Sequence, residues 1–206
     1  MTPRPVHLYV TDTLADWEAA YALAHIRKPS WQRDPGRYTV ETVGATAAPV
    51  TTMGGLTVAP GTTVDRVTPE ASAMLILPGA DTWQDAGRHA DVLRLAGAFL
   101  DAGTPVAAIC GATYGLAATG LLDDREHTSN ARVFLAASGY AGGPLYREEP
   151  AVTDRGLITA SGCFPVEFAA HIFAMLDLYD PDVLQAWRGL YSTGDEAHYA
   201  VLAAAR

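Results

Sequence analysis

Cysteine is scarce in this chain, with two in 206 residues, Cys110 and Cys163. That is too few for a disulfide framework or a thiolate-held metal site, and it suits a reducing cytoplasm. No apolar run reaches the length of about 18 residues that a membrane helix needs, so no spanning segment is expected. Met1 to Arg4 leads straight into a strand pattern with no basic and apolar leader. Basic residues are few, 14 Lys and Arg against 23 Asp and Glu, for a formal net charge of −9. Nucleic acid and anionic membranes are therefore excluded as expected partners, because neither rewards a negative protein. The six histidines show no H-x-x-x-H or H-E-x-x-H spacing, so no zinc site is expected. Gly-x-Gly-x-x-Gly and Walker loops are also missing, so no dinucleotide, ATP or other cofactor is implied.

What is present is a core-forming composition, 49% hydrophobic and 18% charged. It reads as one domain over residues 1–206, without repeats or low-complexity tracts. Apolar strand patterns stand at Val6–Val10, Tyr38–Val43, Ala73–Leu77, the run into Cys110, and Leu157–Ala160. A short strand is expected at Glu126–Ser129, and a hairpin at Pro49–Thr52 and Leu56–Ala59. Helices are expected at Ala15–Arg27, His89–Leu100, Gly111 to about Thr119, Ala131–Ser138, Val166–Leu178 and from Pro181 onward. Alternating strands and helices predict an α/β sandwich around a mainly parallel sheet. Sites in such sheets lie at the carboxyl ends of the strands. The loops after Val10, Leu77, Ile109 and Ala160 should therefore converge.

The most informative stretch is Thr104-Pro-Val-Ala-Ala-Ile-Cys110-Gly-Ala-Thr-Tyr-Gly-Leu116. An apolar strand ends on one cysteine, and small residues then open a helix. This is how a nucleophile is set on a sharp strand-to-helix turn. The helix N-terminus there is expected to favour a thiolate at Cys110. The plainer alternative is a buried structural cysteine. Pro78-Gly79-Ala80 is either an ordinary strand-to-helix turn or, beside Cys110, a source of backbone N–H groups (Ala80, with Gly111) for a developing oxyanion. Gly79, Ala112, Thr113 and Cys163 are expected to line the same site. Glu18 is either a surface helix residue or a carboxyl kept protonated by burial that donates to the sulfur. His127 is either a Cys–His partner or a lone histidine on a short strand. Cys163 either resolves an oxidised Cys110 or fills space, and the space-filling role is favoured.

Ala108-Ile-Cys110-Gly-Ala-Thr113, Gly120-Leu-Leu122, Leu157-Ile-Thr-Ala-Ser-Gly162, Leu75-Ile-Leu-Pro-Gly79 and Asp16-Trp17-Glu18 together resemble the ThiJ/PfpI superfamily. This is a branch of the class I glutamine amidotransferase-like proteins. The resemblance implies a flavodoxin-like three-layer sandwich with a small β-hairpin, and commonly a homodimer. It also implies Cys110 as the reactive residue, Glu18 as its protonated partner and His127 nearby. Four departures stand out, one being Cys163, which stands where relatives often carry a small hydroxyl or similar residue. Gly111 replaces the histidine that protease-like members carry after the cysteine. No late His-x-Glu pair of true glutaminases exists. Ala80 replaces a second glycine. The function implied is a cysteine-dependent hydrolase or hydratase acting on a small carbon–nitrogen or carbonyl substrate. The alternatives are a stress- or redox-sensing protein whose Cys110 is oxidised, and a ligand-binding or chaperone-like dimer.

Overall fold

The computed structural model describes residues 2–85 and 87–205, so Met1 lies outside the described residues. Seven strands form the central sheet. They are β1 (Arg4–Val10), β2 (Tyr38–Gly44), β5 (Thr62–Thr63), β6 (Met74–Leu77), β7 (Val106–Ile109), β8 (Ala151–Asp154) and β9 (Leu157–Ala160), in the order β5-β2-β1-β6-β7-β9-β8. All neighbours run parallel except β8, which pairs antiparallel with β9. The expected small hairpin is present as β3 (Val50–Thr51) and β4 (Thr57–Val58).

The inner strands are apolar on both faces, as a sheet covered on both sides requires. Successive side chains point to opposite faces. Met74, Ile76, Ala107, Ile109, Ile158 and Ala160 enter one core. Leu75, Leu77, Val106, Ala108 and Leu157 enter the other. Four helices supply the first layer: α1 (Ala20–Arg27), α5 (Pro165–Met175), α6 (Pro181–Thr193) and α7 (Glu196–Ala204). Three form the second: α2 (Ala90–Asp101), α3 (Gly111–Ala118) and α4 (Arg132–Ala136). The result is a flavodoxin-like three-layer sandwich. The chain passes from β1 outward to β2 and then returns to β6 on the other side of β1. That reversal opens a crevice beyond the carboxyl ends of β1 and β6.

Three local expectations are corrected. The first helix starts at Ala20 rather than Ala15, because residues 16–19 form a turn that docks on neighbouring loops. Thr13, at φ +61°, accepts the Asp81 N–H, and Asp16 accepts the Gly54 N–H. Glu126–Ser129 is not a strand. It contributes one bridge, between His127 and Tyr146. Strand β8 carried too little alternation to be expected. It forms because Arg155 and Gly156, both at positive φ, turn the chain tightly against β9. No described helix is long and apolar enough to cross a membrane.

Candidate active site

Cys110 stands between β7 and α3 with φ +58° and ψ −125°. A side-chain-bearing residue held there costs on the order of 1–3 kcal/mol of strain. The surroundings impose it. The Cys110 N–H donates to the Ala160 carbonyl at 3.0 Å, and its own carbonyl accepts the Thr113 N–H at 3.1 Å. The Thr113 hydroxyl adds a second bond to that carbonyl at 2.6 Å and contacts Ser129 Oγ at 2.7 Å. The elbow is thus locked from below, and Sγ projects into the crevice, half-buried.

The turn after β1 delivers Glu18. The Ala15 N–H donates to the Gly79 carbonyl at 2.9 Å. The Gly79 N–H donates back to Glu18 Oε2 at 2.5 Å. Glu18 is 0% exposed, and Oε1 has no nitrogen or oxygen partner among the described residues. Two glycines make room for the pair. A Cβ on Gly79 would stand 2.7 Å from Glu18 Oε2 and 2.8 Å from Cys110 Cβ. A Cβ on Gly162 would stand 2.8 Å from Glu18 Oε1 and 3.0 Å from Cys110 Sγ. Carboxyl and sulfur therefore share one small volume that admits no further carbon.

Burial pushes the Glu18 carboxyl above the usual carboxylate range, against bonds from Cys110 and the Gly79 N–H. The two groups compete for one proton: as a carboxylate Glu18 accepts the Cys110 S–H, and once protonated it donates to the sulfur. Cys110 is pushed up to about 11, by burial first and then by the Glu18 charge. Asn130 and the Gly111 N–H pull the other way and do not prevail. Burial and the carboxyl thus act against the helix-stabilised thiolate expected from the sequence, in the direction of the thiol. The helix end is a partial charge, whereas burial and the carboxyl act on the full charge of the anion.

His127 is not placed against Cys110. Its Nδ1 bonds the Arg125 carbonyl at 2.7 Å, and its Nε2 meets the Tyr140 hydroxyl at 3.0 Å. A carbonyl only accepts, so Nδ1 carries the proton and Nε2 is the acceptor. Burial lowers the affinity of the ring for a second proton. Asn130 takes the expected place instead, with Nδ2 3.1 Å from Sγ. Its Oδ1 accepts the Gly162 N–H at 2.9 Å, which fixes which end of the amide faces the sulfur. Sequence reasoning missed Asn130, since one asparagine in a loop before a short helix carries no spacing signal.

The remaining candidates divide. The Gly111 N–H faces the sulfur, and the Ala80 N–H has no acceptor among the described residues. The Ala80 backbone nitrogen lies 3.5 Å from the point where a Gly111 Cβ would stand. Gly79 and Thr113 bound the site as described. Ala112 does not line it but is fully buried in the second core, because the first turn of α3 rotates it under the sheet edge. Cys163 is exposed, so it does not fill space. No metal-holding group of His, Cys, Asp or Glu exists among the described residues. A cleft of about 630 Å³ lined by α5, α6 and Thr153 shares no residue with the thiol's surroundings.

The sequence profile of the DJ-1/PfpI family matches residues 4–175. A protein of Bacillus subtilis (strain 168) named "Uncharacterized protease YoaZ" is 40% identical over 196 residues, covering 94% of this chain and 93% of that one. A second from the same organism, "Uncharacterized protease YdeA", is 31% identical and covers 85% of each chain. The crystal structure of a thiJ/pfpI family protein from Bacillus anthracis superposes with a TM-score of 0.94 at 38% identity, covering 100% of this chain and 98% of that one.

Proposed function

Because the chain belongs to the DJ-1/PfpI family, we propose that its buried Cys110–Glu18 pair performs cysteine-dependent hydrolysis or hydration of a small carbonyl or carbon–nitrogen substrate. One observation carries this reading. Glu18 is the titratable side chain that acts on a thiol held on a strained elbow, and no imbalance of charge from a cation assists it. Reaction begins when Glu18 Oε1 takes the thiol proton. The sulfur attacks the electrophilic carbon, an S–C bond forms, and the π pair moves onto the substrate oxygen or nitrogen. The N–H groups of Ala80 and Gly111 receive a developing oxyanion. Glu18 then returns the proton to the adduct, water adds to the same carbon, and the S–C bond breaks to regenerate the thiol with its proton.

This arrangement suits additions to aldehydes or isonitriles better than peptide cleavage. An amine leaving group needs a proton donor on its own side of the adduct. Asn130, beside the sulfur, has no acidic proton to give, while both ring nitrogens of His127 are committed elsewhere. The protease names of the Bacillus subtilis relatives support a hydrolytic chemistry in the wider group without specifying the bond.

The test is a screen of purified protein against methylglyoxal, an isonitrile and small amides, with Cys110→Ala as the blank. Saturable turnover on the aldehyde or isonitrile, lost in Cys110→Ala, is expected. Turnover that survives the substitution, or none across the panel, overturns the reading. A Cys110 mass gain of one or two oxygens at low peroxide, without turnover, assigns the site to redox sensing instead.

A further inference from the structure

Asn130, whose amide donates to Cys110 Sγ, forms part of the wall of a cavity of about 310 Å³. Ser161, Tyr146, Glu148, Glu149 and Phe164 complete the parts that matter. Phe164 is 44% exposed, an unusual state for a phenylalanine next to a polar crevice. Glu149 is exposed and enters no ion pair among the described residues. The nearby cations are already engaged. Arg132 pairs with Glu148 at 3.6 Å, and Arg147 pairs with Glu126.

Arg132 shows what this surface binds. Its guanidinium lies 4.6 Å above the Tyr146 ring while meeting the Glu148 carboxylate. An aromatic face beside a carboxylate is a niche for a cation, through ring quadrupole and charge together. Tyr146 with Glu148 is one such niche, filled by the chain itself. Phe164 with Glu149 supplies the same two elements in the same cavity without an internal cation.

We infer that this cavity is the substrate subsite of Cys110 and that it takes a cationic group, an ammonium or guanidinium, on Glu149 and Phe164. The inference rests on Cys110 as the reacting residue. It narrows the substrate to a small electrophile bearing an amine-type cation and excludes anionic ones such as keto acids. The cavity's carboxylates, Glu148 and Glu149, outnumber the one cation paired with them, Arg132.

A pair of matched thiol reagents tests this without requiring turnover. In a Cys163→Ser background, Cys110 is modified by 2-(trimethylammonium)ethyl methanethiosulfonate and by the anionic 2-sulfonatoethyl analogue. In each case the Cys110 sulfur forms a disulfide with the sulfenyl sulfur and methanesulfinate leaves with the bonding pair, the thiol proton passing to solvent. Rates are divided by those of free glutathione. The cationic reagent is expected to lead by about tenfold, the size of one well-placed charge contact. Glu149→Gln and Phe164→Ala should each shrink that lead, with the melting temperature confirming that both variants fold. Equal normalised rates overturn the inference. So does a lead that survives both substitutions, which would belong to the overall charge of −9. Loss of all carbonyl turnover with the lead intact would sink the proposed chemistry and leave the cation subsite standing.

Discussion

Asn130 holds its amide nitrogen 3.1 Å from Cys110 Sγ, and its amide oxygen is tied to the Gly162 N–H. The elbow sulfur is therefore served by a fixed dipole that cannot exchange a proton. Proton movement at this site falls to Glu18, which shares the space around the sulfur. The consequences are measurable.

Removing the Asn130 donor should make the thiol a weaker acid. Asn130→Ala loses a bond that favours the anion, and Asn130→Asp adds a like charge as well. The pH profile of Cys110 alkylation by iodoacetamide should move to higher pH in both, and further in Asp. Profiles superimposable on the wild type would show that the amide does not act on the sulfur.

Glu18→Gln should move the same profile the other way. The carboxyl charge is the second largest influence holding Cys110 up to about 11, after burial. Glutamine removes the charge and keeps the shape, so the midpoint should fall yet stay above that of an ordinary thiol near 8.5, because burial persists. Gln cannot carry the proton and should abolish turnover, whereas Glu18→Asp shortens the side chain and loses the Gly79 bond but keeps a carboxyl, and should retain part of it. A midpoint unchanged in Gln would mean that the two groups do not share a proton.

Gly79→Ala and Gly162→Ala should damage the site through space alone. Each new Cβ would come within 2.7 to 3.0 Å of Glu18 or Cys110 atoms. Crowding of this kind costs about 1–3 kcal/mol. Urea unfolding should show that loss together with slower Cys110 labelling. Wild-type stability and labelling in both variants would contradict the packing described.

Acid should destabilise the fold in a defined window. His25 is buried, with the Trp187 indole N–H donating to Nε2 at 3.2 Å and Nδ1 at 3.2 Å from the Tyr179 hydroxyl. The indole can only donate, so the ring is neutral and both nitrogens are engaged. Burial lowers its pKa to about 4 from an unfolded value of 6.5. The unfolded state then binds the proton first as pH falls. Stability from this group is full above pH 6.5 and lost as pH drops toward 4, by up to about 3 kcal/mol. Burial also lowers His7, His89, His127 and His171, which adds in the same direction. Guanidinium midpoints at pH 7 and pH 4.5 measure the loss, and equal midpoints would refute it.

Much of this protein was legible in its sequence because the signals were local. Apolar runs such as Met74–Leu77 and Val106–Ile109 can only be strands covered on both faces. A cysteine between such a strand and a run of small residues marks an elbow before any coordinates exist. The identity of the sulfur's neighbours was not local. Glu18, Gly79, Asn130 and Gly162 come from four loops, and only the strand order brings them together. Whether the sulfur is charged was also decided there. The sequence supplies a helix end that favours the anion, and tertiary burial beside a carboxyl reverses the balance. A partial charge at a helix terminus is smaller than the cost of burying a full one.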